Sequence, residues 1–246
     1  MDTFTTLVER LAREEKSTFR YPDAAGPIEA KLPASKREAE LRLWDEALAR
    51  AVGSERPARG IALDAGCGDG AYLGLLADRF ERVVALDADE RRAVSARARH
   101  PLVPVFALDL GAKVFEEPAL QGVLRFAQSM QVLGHLETAR ADQVLARLSS
   151  TLAPAGTLLL ALPYTNARDD EFRISELDVA QSRQVGREEY DACVRSQTPG
   201  ALPVRHFSML SVSALLSGAQ LAQSWCAPYG WLSYELADLM VLASRR

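Results

Sequence analysis

A glycine-rich loop between a short apolar run and a helical pattern constrains the fold of this chain more than any other feature. The loop lies in residues 63–70, LDAGCGDG, where glycines occupy alternate positions from Gly66 to Gly70. Because glycine has no Cβ, the chain can turn sharply there and a ligand can approach the backbone closely. A strand, a glycine turn and a helix in this order indicate a parallel α/β sheet that binds ligands at the carboxyl ends of its strands.

The residues after the loop continue this alternation of strand and helix. Apolar runs predict strands at residues 61–64, 83–86, 103–108, 123–127, 157–162 and 238–244. Helical patterns occupy residues 72–79, 90–99 and 211–221. Near-continuous apolar strands separated by helices are typical of a parallel sheet covered on both faces. We therefore predict an α/β fold with a doubly wound, mostly parallel sheet.

Two further segments complete the predicted domain organisation. Residues 1–57 are charged and helical, with a break at 21–27 that contains two prolines and a glycine, and we interpret them as an N-terminal lid or extension. The main domain then covers residues 58–246. Within it, residues 164–207 are polar, carry charges of both signs and interrupt the alternation after the fifth strand. Because this insertion follows the carboxyl end of a strand, we expect it to cap a substrate.

Composition excludes several classes of protein. The 29 basic and 33 acidic residues give a net charge of −4, which argues against bulk electrostatic binding to nucleic acid. Three cysteines without Cys-x-x-Cys spacing predict neither a disulfide framework nor a metal site. The longest apolar run, residues 158–163, is too short to span a bilayer. We expect a cytoplasmic protein without nucleic-acid or membrane partners, in which the N-terminal zone can supply a homodimer surface.

Acidic residues end three successive predicted strands. Asp64, Asp87 and Asp109 lie 22 or 23 residues apart, which is one strand–helix unit each. Asp87 is placed to accept hydrogen bonds from ribose hydroxyls, and Asp109 from an adenine amine. Three carboxylates around the loop suit a positively charged nucleoside better than a pyrophosphate. The loop also satisfies the dinucleotide fingerprint in its Gly/Ala form, which leaves a nicotinamide cofactor open.

These residues resemble the motifs of the class I S-adenosylmethionine-dependent methyltransferases. Residues 63–70 match the family's first motif, 84–87 its ribose-binding motif, 106–110 its adenine-binding segment and 128–136 its fourth-strand loop. Residues 205–208, followed by a helix and a final apolar strand, resemble the family's strand 6–7 hairpin. The acidic residue usual before strand four is absent, because Gln121 and Gly122 stand there. The resemblance covers about residues 60–244 without the insertion.

The resemblance implies a seven-stranded Rossmann-like methyltransferase fold, S-adenosylmethionine as cofactor and S-adenosylhomocysteine as product. It implies a catalytic role for His135, in the loop after the fourth strand, although a structural hydrogen-bonding role is equally compatible with that position. Candidate substrate-binding residues are Tyr21, Tyr164 and His206. The candidate cofactor-binding residues are Asp64, Gly66, Cys67, Gly68, Gly70, Asp87, Ala88, Asp109, Leu110 and Gln128.

The expected activity is in-line methyl transfer to a small-molecule acceptor, such as a secondary metabolite. The acidic net charge, the predicted cap and the helical N-terminal zone all favour an enclosed pocket. Three alternatives stay open: a tRNA or protein methyltransferase with an open groove, an NAD(P)-dependent oxidoreductase, and a non-catalytic fold-mate that binds the cofactor without turnover.

Overall fold

The computed structural model describes residues 3–21, 33–53, 56–176, 181–233 and 235–245, so most of the proline-containing break lies outside the described residues. The helices are α1 (Thr3–Glu14), α2 (Ala34–Val52), α3 (Leu73–Ala77), α4 (Glu90–Arg99), α5 (Thr138–Thr151), α6 (Arg187–Ser196) and α7 (Met209–Gly218). The strands are β1 (Ala58–Ala65), β2 (Phe80–Asp87), β3 (Val105–Ala107), β4 (Leu124–Met130), β5 (Leu152–Thr165), β6 (Glu171–Glu176), β7 (Gln181–Val185), β8 (Ala201–His206), β9 (Leu221–Tyr229) and β10 (Leu236–Arg245).

Seven of these strands form one sheet in the order β3-β2-β1-β4-β5-β10-β9. Strands β1 to β5 run parallel, and β10 inserts antiparallel between β5 and β9. The strand order reverses between β1 and β4, which opens a crevice at their carboxyl ends. The predicted doubly wound, seven-stranded, mostly parallel fold is confirmed.

Two apolar layers cover the faces of this sheet, because successive side chains of a strand point to opposite faces. Phe126 and Leu159 belong to the layer under α2, α3 and α4, whereas their neighbours Ala127 and Leu160 belong to the layer under α1, α5 and α7. The aromatic ring of Phe126 also stacks on Phe80 at 5.2 Å between ring centroids. Because both faces of the sheet are covered, the side chains that point to either face are apolar. This explains why the strands appear in the sequence as continuous apolar runs.

The two N-terminal helices belong to these layers. Phe4 and Val8 of α1 are buried in one layer, and Trp44 and Leu48 of α2 are buried in the other. None of the described helices is long and apolar enough to cross a membrane.

The insertion after β5 forms a small antiparallel sheet in the order β7-β6-β8, with α6 between β7 and β8. Phe207 donates its backbone N–H to the carbonyl of Pro163 at 2.8 Å, which joins the end of β8 to the carboxyl end of β5. The buried hydroxyl of Tyr190 on α6 lies 2.8 and 2.7 Å from the carbonyl oxygens of Gly134 and Leu136 and donates its single proton between them. The second sheet is thereby fixed beside the carboxyl edge of the large one, and its role as a substrate cap stays a prediction.

Candidate active site

The glycine loop turns tightly between β1 and β2. Gly66 and Cys67 donate their backbone N–H groups to the carbonyl of Leu86 at 2.8 and 2.9 Å. Gly66 has φ = +88°, and a Cβ built on it would lie 2.3 Å from a methyl group of Val132 in the loop after β4. Only glycine fits both the backbone conformation and this close approach. The Cys67 thiol is buried, which raises its pKa, so its role here is packing.

Asp87 connects this loop to the end of β2. Its two carboxylate oxygens accept backbone N–H groups, Oδ2 from Gly68 and Oδ1 from Asp89, both at 2.8 Å. Burial raises the pKa of Asp87, while these two hydrogen bonds act in the opposite direction. The carboxylate is therefore held rigidly at the edge of the crevice, with Ala88 beside it on the cavity wall.

Asp64, at the end of β1, is 1% exposed, and neither of its carboxyl oxygens has a hydrogen-bond partner among the described residues. Burial raises its pKa to about 7, the amide of Gln128 opposes this shift from nearby without reaching hydrogen-bond geometry, and the negative charge of Asp87 adds to the shift. Buried polar atoms are nearly always paired in folded proteins, so an unpaired carboxyl on a cavity wall calls for a ligand. A cationic group opposite Asp64 would favour its charged form.

Asp109 follows β3 and completes the row of strand-end carboxylates. Its Oδ1 accepts the backbone N–H of Gly111 at 2.7 Å and lies 2.6 Å from the guanidinium of Arg140 on α5. Leu110 contributes an apolar wall next to it. No local pattern predicts the contact with Arg140, because it joins segments that are 31 residues apart and depends on how α5 packs.

Two histidines lie where the two sheets meet. His135 occupies a 3₁₀ helix, Leu133–His135, and its Nδ1 is 2.8 Å from the carbonyl oxygen of Pro203 on β8. Burial lowers the pKa of His135. His206 ends β8 and is 6% exposed; burial lowers its pKa to about 4, and its Nδ1 has no hydrogen-bond partner within the described ranges. Both imidazoles are therefore neutral at neutral pH.

An N-terminal strap, residues 15–21, crosses the carboxyl edge of the large sheet. The backbone N–H of Tyr21 donates to the buried carboxylate of Asp89 at 2.9 Å, and that of Arg20 donates to Gln197 beyond α6 at 3.0 Å. The guanidinium of Arg92 lies 4.1 Å from the centre of the Tyr21 ring, which is perpendicular to the His135 ring at 5.9 Å between ring centroids. The strap thus links α4 to the inserted segment above the crevice.

These elements line a cavity of about 1360 Å³, which exceeds the 300–1,000 Å³ typical of a pocket for one ligand. The predicted site residues on its wall are Tyr21, Asp64, Gly66, Cys67, Gly68, Asp87, Ala88, Asp109, Leu110, His135 and His206.

Three predicted site residues lie away from this wall. Gly70 faces α4, where a Cβ would meet His100 at 2.9 Å, so it serves helix packing. Gln128 lies inside β4, which extends three residues beyond the predicted strand, and its buried amide oxygen accepts the indole N–H of Trp44 at 2.8 Å. Tyr164 follows wall residue Pro163 on β5, so its side chain points to the opposite face of the strand, towards Trp231.

A buried cluster of polar side chains around Glu40 of α2 also lines the cavity, and the sequence pattern does not predict it. Glu40 is 4% exposed and accepts hydrogen bonds from Tyr72, from Tyr229 at 3.0 Å and from Arg37 at 2.5 Å. Spacing on the helix could have signalled only the Arg37–Glu40 pair, because both tyrosines come from distant segments. Gln131 nearby has φ = +59°, a strained conformation for a residue with a side chain, as is common at functional sites.

The fold and this site define a class of protein, a doubly wound α/β domain whose strand-end carboxylates face a nucleoside-sized crevice. Comparison with known proteins shows what the chain is similar to. A family model described as a methyltransferase domain matches residues 62–156. A probable S-adenosylmethionine-dependent methyltransferase of Mycolicibacterium smegmatis is 31% identical over 126 residues, which are 48% of this chain and 47% of that protein. Trans-aconitate 2-methyltransferase of Acidovorax ebreus is 34% identical over 137 residues, 49% of this chain and 50% of that protein.

Solved structures share the fold over nearly the whole chain. The N-methyltransferase NodS of Bradyrhizobium japonicum, in complex with S-adenosylhomocysteine, has a TM-score of 0.59 at 16% identity and covers 100% of this chain and 99% of its own. Magnesium protoporphyrin IX methyltransferase of Synechocystis has a TM-score of 0.59 at 17% identity, with 99% and 96% covered. The chain spans about half the length of the curated relatives it matches. The matched domain at residues 62–156, these relatives and these structures support a class I S-adenosylmethionine-dependent methyltransferase.

The residues present fit the cofactor of this family. The unpaired Asp64 carboxyl suits a cationic ligand, and Gly66, Cys67 and Gly68 line the same cavity. Asp87 and Asp109 stand at the ends of adjacent strands on the same cavity wall.

Proposed function

We propose that this protein transfers a methyl group from S-adenosylmethionine to a small-molecule acceptor. The observation that carries this proposal is the single cavity of about 1360 Å³, which joins the strand-end carboxylates of the large sheet to the second sheet. A donor and an acceptor held in one enclosed space can be aligned for direct displacement. Alignment and exclusion of water are the main sources of acceleration that such a reaction needs.

S-adenosylmethionine, when bound, supplies an electrophilic methyl group on a positively charged sulfur. In this proposal Asp87 accepts hydrogen bonds from ribose hydroxyls, and Asp109 accepts one from the adenine amine. Asp64, ionised when a cation lies opposite it, balances the positive charge of the ligand. His135 is held by the Pro203 carbonyl and is the predicted catalytic residue beside the acceptor.

Three observations support a small acceptor over a tRNA or protein. The strap of residues 15–21 and the second sheet both line the cavity, which limits access for a macromolecule. The net charge is −4, whereas a nucleic-acid substrate calls for a basic surface. Relatives of similar sequence or fold carry names that specify small acceptors, namely trans-aconitate, 1,6-didemethyltoxoflavin and magnesium protoporphyrin IX.

Cytoplasmic location is part of the proposal and is supported by three unpaired cysteines.

Calorimetric titration with S-adenosylhomocysteine, S-adenosylmethionine and NADH in parallel tests the cofactor. We expect micromolar affinity for the first two and no binding of NADH. Binding of NADH alone would support the oxidoreductase alternative and contradict the proposal. Incubation with methyl-labelled S-adenosylmethionine and a library of small acceptors then tests turnover, and label that enters only tRNA or protein would contradict a small acceptor.

A further inference from the structure

The cavity-facing side of the second sheet has a regular composition. On β6 the residues at alternate positions face the cavity, and their partners in register on β7 and β8 do the same. Strand geometry explains this, because residues i, i+2 and i+4 share one face of a sheet. The acceptor face consists of Glu171, Arg173, Ser175, Ser182, Gln184, Leu202, Val204 and His206. Six of these eight side chains are polar.

The charges on the acceptor face are already balanced within the protein. Arg173 lies 2.6 Å from Glu171 and also donates from Nε to the hydroxyl of Ser182 at 3.0 Å. Opposite this face, Lys36 of α2 forms an ion pair with Asp238 of β10 at 2.5 Å. An apolar acceptor would displace water from these polar groups without replacing the hydrogen bonds that the water makes to them, which is unfavourable. The face therefore suits a polar acceptor with several hydrogen-bonding groups.

His206 differs from its neighbours on the acceptor face because one of its two ring nitrogens, Nδ1, has no hydrogen-bond partner among the described residues. Its register partner across the strands is Glu171, and His135, Arg173 and Lys36 are the other charged or titratable groups close to it. None of them bonds to Nδ1, which has no partner in the described part of the chain although the residue is 94% buried. His135, in contrast, already uses its Nδ1 at the Pro203 carbonyl.

We propose that the acceptor face binds a polar acceptor whose reacting atom is an O–H oxygen or an N–H nitrogen, and that the His206 imidazole takes the proton from that atom. This inference rests on the proposed function and adds the acceptor class and the base. As the heteroatom forms its bond to the methyl carbon, the electron pair of the carbon–sulfur bond stays on sulfur. The heteroatom loses its proton to His206, so the positive charge moves to the imidazolium and then to water.

The experiment supplies the protein with two kinds of acceptor. The O–H and N–H acceptors are a series of ring-substituted phenols and anilines and a set of sugars and amino alcohols. The carbon acceptor is an isoprenoid alkene whose only nucleophile is carbon. Methyl transfer from labelled S-adenosylmethionine is measured for each acceptor. The variants are His206→Gln and the smaller His206→Asn, with Glu188→Gln on the exposed start of α6 as the control. Calorimetry measures S-adenosylhomocysteine binding, and then acceptor binding to that complex, for every variant.

We expect at least one O–H or N–H acceptor to be methylated, and kcat to fall about 100-fold or more in both His206 variants. The affinity for S-adenosylhomocysteine should stay within twofold of the wild type, which also shows that the variants fold. Within the phenol series, the loss should shrink as the pKa of the phenol falls, because an acidic phenol needs no base. A purely structural role for His206 would not produce that trend.

Three results would overturn the inference while leaving the proposed function intact, provided that S-adenosylhomocysteine binds. These are turnover of the carbon nucleophile alone, turnover of no heteroatom acceptor, and His206 variants whose kcat stays within threefold of the control. Failure of the wild type to bind S-adenosylhomocysteine would instead overturn the proposed function, on which the inference depends.

Discussion

Replacing Asp87 by asparagine tests the role of the carboxylate at the end of β2. Both of its oxygens accept backbone N–H groups at 2.8 Å, one from Gly68 in the glycine loop and one from Asp89. Asparagine keeps the size of the side chain but has one acceptor oxygen and one amide donor. Its NH₂ group must therefore face one of the two backbone N–H groups.

The expected losses of stability and of ligand affinity both follow from the hydrogen bonds that the Asp87 carboxylate accepts. One backbone N–H is left without its acceptor in a site that is 9% exposed, which should lower the free energy of unfolding by about 1–3 kcal/mol. The ligand loses a charged acceptor for its ribose hydroxyls, and hydrogen bonds to charged groups contribute about 1.5–3 kcal/mol. Because about 1.4 kcal/mol corresponds to a tenfold change, we expect the Kd for S-adenosylhomocysteine to rise roughly 10- to 100-fold.

Calorimetry with S-adenosylhomocysteine and urea unfolding measure the two effects separately. Asp142→Asn, on the exposed face of α5, makes the same chemical change away from the cavity and should alter either quantity by less than about 0.5 kcal/mol. An Asp87→Asn protein that is less stable but binds S-adenosylhomocysteine within twofold of the wild type would refute the ribose role, since only the structural hydrogen bond would then matter.

Further predictions concern backbone strain, pH and an ion pair. Gly66→Ala should lower the free energy of unfolding, measured in urea, by about 2 kcal/mol or more, because φ is +88° and the new Cβ would lie 2.3 Å from a methyl group. Gly186→Ala, where a Cβ would enter open space, should lower it little. Equal losses in the two variants would contradict this prediction. The carboxyl of Asp64 keeps its proton up to about pH 7 in the folded protein but releases it near pH 3.8 in the unfolded chain. As the pH rises between these values, the wild type should therefore lose stability relative to Asp64→Asn by up to about 1.4 kcal/mol per pH unit. Stability curves of the two proteins that run parallel over this range would argue against the raised pKa. Arg205→Met should lower the free energy of unfolding by about 3 kcal/mol or more, because Asp170, 2.7 Å from the guanidinium, loses its ion-pair partner in a largely buried site. A loss below about 1 kcal/mol would contradict this prediction.

Much of the large sheet could be predicted because its residues carry local signals. The helix at residues 90–99 was predicted with the observed bounds, since Asp89 caps it by accepting the N–H of Arg91. Other boundaries moved. The fourth strand was predicted to end at residue 127 but runs to Met130, because its polar residues Gln128 and Ser129 are buried inside the sheet. Polar residues are usually read as a loop, and only tertiary packing supplies the partner of Gln128.

The inserted segment was recognised from its polarity, but its strands were not predicted. Strand β7 is almost entirely exposed, so it lacks the apolar alternation that reveals a half-buried strand. Its pairing with β6 depends on contacts such as that between Arg173 and Ser182, which composition does not encode. For the same reason the sequence placed His206 near the substrate but gave no indication that its imidazole lacks a partner.

A crystal structure of the protein grown with S-adenosylhomocysteine tests the central claim most directly, because it locates the ligand on the sheet. The account predicts the ribose hydroxyls on the carboxylate of Asp87, the adenine amine near Asp109 and the homocysteine amino group on the side of Asp64. A nucleoside bound away from this row of carboxylates, or no ligand at millimolar S-adenosylhomocysteine, would contradict it.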